Sequence, residues 1–213
     1  MDLSIVILAG GKAKRLGVDK SLIFIKDKPL IAHTLERIHS ISDDIIIVTK
    51  TEKRLKNLKQ YVKYPVKFLL DEDPSIESPL IGALTGMKHA KFKEILLIGS
   101  DMPLIKPEVI ELLYDYYTNV RSLCWAVIPQ FPNRYIEPLC AIYGKEAAIE
   151  ALKQTITEKS FRLRIFIERI PAAHFLPVGE IRAIDPELQT FFNVNTRYDL
   201  EKFIKILEDS ESL

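Results

Sequence analysis

Ser4-Ile5-Val6-Ile7-Leu8-Ala9-Gly10-Gly11-Lys12-Ala13-Lys14-Arg15-Leu16-Gly17-Val18-Asp19-Lys20 begins as a strand and ends as a place to hold phosphate. Its opening residues form a β-branched apolar run, the composition of a strand. Gly10 and Gly11 let the backbone turn sharply and bring its N–H groups close to an anion. Lys12, Lys14, Arg15 and Lys20 add positive charge, and Arg15 offers a planar fork of donors to phosphoryl oxygens. Two familiar phosphate motifs do not fit. A Walker loop closes on Gly-Lys-Ser/Thr, whereas Gly17 is followed by Val18. A dinucleotide fingerprint counted from Gly10 puts Lys12 where its second glycine belongs.

Outward from this loop, short apolar runs alternate with helical patterns. The alternation predicts strands at residues 5–8, 45–48, 66–70 and 95–98. Pro29 sits at a first helical position, followed by an apolar face of Leu30, Ile31, Leu35 and Ile38. A charged helix is expected over 52–61, with Leu55 and Leu58 inward and a solvated outer face. Leu80, Leu84 and Met87 stripe a third helix after Pro79, and Ile110, Leu113 and Tyr117 a fourth after Pro107. This order implies right-handed crossovers and a largely parallel sheet covered on both faces. The last third changes character. Strands at 123–128 and 136–143 flank a polar turn at 130–134, and helices at 145–153 and 161–170 follow. A strand near 174–178 and a terminal helix at 198–208 close the chain. The reading is one continuous α/β domain over 1–213.

The 213 residues are 47% hydrophobic and 28% charged, ordinary values for one globular domain with a sizeable core. A net charge of +1 argues against a general nucleic-acid or membrane-surface binder, so any positive charge that matters is local. No apolar run approaches the roughly 18 residues of a membrane span. Met1-Asp2 runs straight into a strand and leaves no room for a secretion signal, so a cytoplasmic protein is expected. Cys124 and Cys140 are isolated in apolar surroundings and read as reduced core thiols. His33, His39, His89 and His174 show no metal-ligand spacing.

Ligands of open α/β sheets bind at the carboxyl ends of the strands. Besides the glycine loop, two such ends carry carboxylates: Asp71 after Phe68-Leu69-Leu70, and Asp101 in Leu97-Ile98-Gly99-Ser100-Asp101-Met102-Pro103. A strand-end carboxylate beside a triphosphate suits Mg²⁺, which takes a few carboxylates together with phosphate oxygens and water. Asp101 lies too far upstream of Pro107 to cap the helix that starts there. Asp73-Pro74 rivals Asp71, although an Asp before a Pro is also an ordinary turn starter.

The loop resembles the signature of the nucleotidyltransferase superfamily that makes activated sugars and modified cofactors, Leu-Ala-Gly-Gly-x-x-x-Arg-Met-Gly-x-Asp-Lys, with Leu16 replacing the Met. Within it the chain is most similar to the molybdenum cofactor guanylyltransferases, which join GMP to molybdopterin. Ser78-Pro79-Leu80-Ile81-Gly82 resembles their Gly-Pro-Leu-Ala-Gly segment, with Ser78 for the first glycine. Glu137-Pro138-Leu139-Cys140-Ala141-Ile142-Tyr143 resembles their Glu-Pro-Leu-x-Ala-x-Tyr segment. Asn193-Val194-Asn195-Thr196 resembles their Asn-x-Asn-Thr element, and Asp185-Pro186-Glu187-Leu188 the run into it. The likeness spans nearly the whole chain and is weakest between Thr49 and Tyr64.

The resemblance implies a Rossmann-like three-layer sandwich whose mixed sheet has one antiparallel strand. It implies nucleotide binding by Leu8, Ala9, Gly10, Gly11, Lys20, Asp71 and Asp101 in a part covering about 1–120. Arg15, Lys20 and Asp101 are the implied catalytic residues, with Asp101 on Mg²⁺. Gly82, Asn193 and Asn195 are the implied acceptor residues, the acceptor part covering about 121–213. The implied substrates are GTP and molybdopterin, with transient contact to molybdenum-cofactor carrier or acceptor proteins. Preorganised cations are the main need, because charge builds around the α-phosphorus and the departing pyrophosphate. Two alternatives stay open: transfer from CTP to the same pterin or from another nucleotide to a sugar phosphate, and a non-catalytic nucleotide binder on the same fold. Thr196, with Asp199 three residues on, also suits the cap of the final helix.

Overall fold

The computed structural model describes residues 1–10, 12–13, 18–19 and 23–211; Gly11, Lys14, Arg15 and Lys20 lie outside them. Seven strands form the main sheet: β1 (Leu3–Leu8), β2 (Asp44–Thr49), β3 (Lys67–Leu70), β4 (Glu94–Gly99), β5 (Ala126–Gln130), β6 (Cys140–Gly144) and β7 (Ala173–Pro177). Their spatial order is β7-β5-β6-β4-β1-β2-β3. Only β6 runs against its neighbours; every other pairing in the sheet is parallel. The strand order reverses at β1 and β4, and the crevice beyond such a reversal is where ligands bind in sheets of this kind. The chain is thus a Rossmann-like α/β sandwich with a mixed, mostly parallel sheet.

Alternation along each strand builds two cores. Ile5 and Ile7 of β1 face one side with Ile45, Ile47, Leu96 and Ile98; Val6 faces the other with Ile46, Val48, Ile95 and Leu97. Helices α1 (Leu30–Ile38), α2 (Glu52–Tyr61) and α4 (Pro107–Val120) cover the first face. Helices α3 (Pro79–His89), α5 (Lys145–Thr157) and α6 (Leu163–Glu168) cover the second. The short α7 (Val178–Ile181) packs with the first core. The terminal helix α8 (Arg197–Glu211) contributes Phe203 to a third cluster with Ile25, Leu30 and Val194. No helix among the described residues is long and apolar enough to cross a membrane.

Three local expectations are corrected. Pro29 is the residue before α1, in extended conformation, and not its first helical residue; it closes a short ladder with Phe24. The strand expected at 123–128 begins only at Ala126, because Leu123 and Cys124 fold back to the Val120 carbonyl and finish α4. The strand expected at 136–143 is broken by Pro138, which has no N–H to give to a ladder. Ile136 makes a lone bridge to Gln130, and regular pairing resumes at Cys140. Cys124 and Cys140 are buried free thiols. His33 is a core histidine, bonded to the Ile25 carbonyl at 3.2 Å with its ring edge-on to Phe203.

Candidate active site

Four parallel strands end on one edge of the sheet, and the residues that follow them meet there. Backbone bonds continue the ladder past the strands: Ala9 N–H to Val48 O (2.8 Å), Asp71 N–H to Thr49 O (3.0 Å) and Ser100 N–H to Leu8 O (3.2 Å). These bonds fix the entry to the glycine loop, Asp71 and Asp101 relative to one another. Beyond Gly10 the loop doubles back, with Lys12 paired to Asp19 and Ala13 to Val18 in a two-residue antiparallel ladder. A cavity of about 520 Å³ opens over the edge, walled by Leu8, Gly10, Asp71, Gly82, Asp101 and Leu139.

Of the residues singled out in the sequence, Leu8, Gly10, Asp71, Gly82 and Asp101 therefore share one cavity. Ala9 is buried and its side chain joins the core beneath, so it offers only backbone to the loop. Asp71 is 8% exposed, and burial pushes its carboxyl pKa up against the pull of Lys50. Its rival Asp73 accepts from the Ser75 N–H (3.1 Å) and hydroxyl (2.5 Å), as a turn starter does. Gly82 lies beside two of these residues: a Cβ there would stand 3.1 Å from Asp71 Oδ1 and 3.2 Å from Leu8 Cδ2. Ser78 caps α3 by accepting from the Leu80 N–H (3.1 Å), which brings the helix start to the cavity wall.

Asn193 and Asn195 do not line this cavity among the described residues. They border it through the backbone, because the Val194 N–H donates to the Asp101 carbonyl at 2.9 Å. Asn193 Nδ2 donates to the Phe191 carbonyl at 3.1 Å. Thr196 and Asp199 cap α8 reciprocally: Asp199 Oδ2 accepts from the Thr196 N–H (2.8 Å), and Thr196 Oγ1 from the Asp199 N–H (3.2 Å). Behind this segment Asp185 is wholly buried, accepting from the Thr190 N–H (2.8 Å) and paired with Lys106 Nζ at 3.0 Å.

Two residues not assigned to the site from the sequence, Lys50 and Arg54, line the cavity, and a third, Glu137, is buried beside Asp101. A turn over 137–140, closed by the Cys140 N–H to the Glu137 carbonyl (3.3 Å), puts Leu139 in the cavity wall and Glu137 close behind it. Glu137 is buried, and its pKa is pushed up by that burial and by the neighbouring Asp101 charge. Lys50 follows β2 and Arg54 sits in the first turn of α2, and both line the cavity. Arg54 donates to the Gly10 carbonyl at 2.8 Å. A signal for Arg54 was present, since a helix N-terminus favours acidic side chains and a cation there needs another reason.

Known proteins fit this geometry. A family model described as the MobA-like NTP transferase domain matches residues 5–173. A Pyrococcus horikoshii protein named probable molybdenum cofactor guanylyltransferase is 33% identical over 203 residues, covering 94% of this chain and 98% of that protein. One of the same name from Methanosarcina mazei is 31% identical, covering 94% of this chain and 89% of that protein. The crystal structure of molybdopterin-guanine dinucleotide biosynthesis protein A from Archaeoglobus fulgidus superposes with a TM-score of 0.82 at 30% identity, over 97% of this chain and 99% of that one. A family model over most of the chain, relatives above 30% identity along nearly its whole length and a superposable crystal structure agree, and the chain belongs to the MobA-like NTP transferase family.

Proposed function

We propose that this chain transfers GMP from GTP to the phosphate of molybdopterin, releasing pyrophosphate and forming the guanine dinucleotide of the molybdenum cofactor. The observation that carries the reading is that relatives bearing the guanylyltransferase name align over 94% of the chain. The strand-end cavity supplies the carboxylates that such a transfer needs. An oxygen of the acceptor phosphate attacks the α-phosphorus, the bond from that phosphorus to the β-phosphate bridge breaks, and pyrophosphate leaves with the electron pair. The attacking oxygen is already anionic near neutral pH, so no general base is required.

The donors at this wall fit Mg²⁺: the hard carboxylate oxygens of Asp101 line a cavity with room for phosphate and water, and the Asp71 carboxyl lines the same cavity. Asp101 would hold the ion, which supplies positive charge against the triphosphate when bound. Gly10 and Asp71 bind the nucleotide, with Gly11 and Lys20 from the same loop; Arg15 and Lys20 oppose the charge on the departing pyrophosphate. Asn193 and Asn195 orient the acceptor. Nucleotide binding falls to the part over about 1–120 and acceptor binding to that over about 121–213, with Gly82 serving the acceptor from the cavity wall. The reaction is assigned to the cytoplasm.

Pyrophosphate release with Mg²⁺ and molybdopterin, comparing GTP with CTP, tests the proposal. Release with GTP is expected, and Asp101→Ala or Lys20→Ala should cut it at least about a hundredfold. Release with CTP alone overturns the choice of base, and release with neither overturns the reaction.

A further inference from the structure

Asp71 Oδ1 is sealed from solvent and accepts no hydrogen bond among the described residues. A buried acceptor without a donor costs the full desolvation of the group, so an oxygen kept this way in a ligand cavity is waiting for the ligand's donor. Lys50 stands on the adjacent strand end. Thr49 pairs with Leu70 in the sheet, and Lys50 and Asp71 are the next residues along each chain. One N–H of Lys50 goes to the Ile76 carbonyl at 2.5 Å, which holds the ammonium over the segment that follows Asp71. Its methylene stem lies against Gly10, and Arg54 ties the Gly10 carbonyl from behind. The wall therefore presents a carboxylate, an acceptor only, beside an ammonium, a donor only.

We propose that Lys50 is a specificity-determining residue that reads the nucleobase jointly with Asp71, and that the pair fits guanine. The inference deepens the guanylyl-transfer reading and rests on it. Guanine offers O6, N1–H and the N2 amino group in a row, so O6 meets Lys50 while N1–H and N2–H meet the two Asp71 oxygens. Adenine reverses the pattern at positions 6 and 1, placing its amino group against Lys50 and a lone pair against Asp71. Cytosine does the same with its amino group and N3. Uracil has only one N–H on that edge. A site built to bond a substrate group rejects analogues without it, because its own buried polar groups are then left unpaired.

Direct binding of GTP, ITP, ATP and CTP with Mg²⁺, by calorimetry and without acceptor, tests the pair. ITP keeps O6 and N1–H and lacks the N2 amino group. In the unaltered protein GTP should bind at least about tenfold tighter than ITP and much tighter than ATP. Asp71→Asn, close to isosteric, should weaken GTP about ten- to a hundredfold and shrink the GTP/ITP ratio towards one. Lys50→Met keeps the stem packing; it should weaken GTP and ITP together about tenfold and leave ATP and CTP unchanged. Lys50→Arg should restore the preference, which a merely structural lysine would not require. Full wild-type discrimination in Lys50→Met, or an unchanged GTP/ITP ratio in Asp71→Asn, overturns the assignment even if GTP remains the substrate. A wild-type protein that prefers CTP overturns the pair together with the reading beneath it.

Discussion

Replacing Gly86 with alanine is expected to loosen the fold and the nucleotide site together. Gly82 and Gly86 sit one turn apart on the face of α3 that lies on β1 and β2. A Cβ at Gly86 would stand 3.1 Å from Val48 Cγ2, 3.2 Å from Val6 Cγ2 and under 3.0 Å from Val6 Cγ1. Carbon atoms rest about 3.5–4.0 Å apart, and both valines are buried, β-branched and stiff at χ1. The helix must therefore back away by roughly 1 Å. Overpacking costs about 1–3 kcal/mol, and removing a helical glycine returns about 1 kcal/mol. With contacts this short the upper figure applies, leaving a net loss of about 2 kcal/mol. For a chain of this size that lowers Tm by about 4–8 °C. The same retreat widens the gap between Gly82 and Asp71, now close enough that a Gly82 Cβ would lie 3.1 Å from Oδ1, so GTP affinity should fall as well. Gly179→Ala is the control: nothing lies within 4 Å of its would-be Cβ, and the change should be neutral or stabilising by up to about 1 kcal/mol. Thermal unfolding and GTP titration read the two effects separately. A Gly86→Ala protein as stable as wild type refutes the packing argument. One that unfolds early yet binds GTP normally refutes its link to the site.

Two further substitutions probe the frame behind the cavity. Burial alone would raise the Asp185 pKa, but the Thr190 N–H and the Lys106 ammonium outweigh it and hold the carboxyl below its usual value. Its stabilisation is therefore complete above the unfolded carboxylate value, about 3.9, and fades as pH falls through the lower folded value. Asp185→Asn should cost about 2–3 kcal/mol at pH 7 in denaturant unfolding, the gap from wild type closing below about pH 4; a gap that widens in acid refutes the pairing. Tyr143→Phe removes the buried 2.8 Å hydrogen bond to the Pro138 carbonyl and should cost about 1–2 kcal/mol. Unchanged stability would mean the hydroxyl does not anchor the segment that carries Glu137.

What the sequence made legible, and what it did not, follows from how far each feature reaches along the chain. The run from Ser4 to Leu8 and the helix from Glu52 to Tyr61 are set by local composition and period, and the structure has both where the pattern puts them. Asp71 and Asp101 are legible for the same reason, since each comes within two residues of the end of an apolar run and so lies at a strand end whatever the sheet order. Glu137 is different. Its place near Asp101 depends on β6 inserting antiparallel between β4 and β5, a pairing across some forty residues that no local period encodes. Gly82 is reached by a motif match, and it is the packing of α3 that brings it within a Cβ's reach of Asp71. Lys50 and Arg54 fall in the stretch where the resemblance is weakest, and charge at helical spacing there reads as solvated surface. Only the parallel pairing of β2 beside β1 turns that strand end and helix start towards the glycine loop. A pocket gathered from four strand ends is therefore visible in sequence one wall at a time. The pair proposed to read the base joins a carboxylate legible at its strand end, Asp71, to a lysine that only the sheet order sets beside it, Lys50.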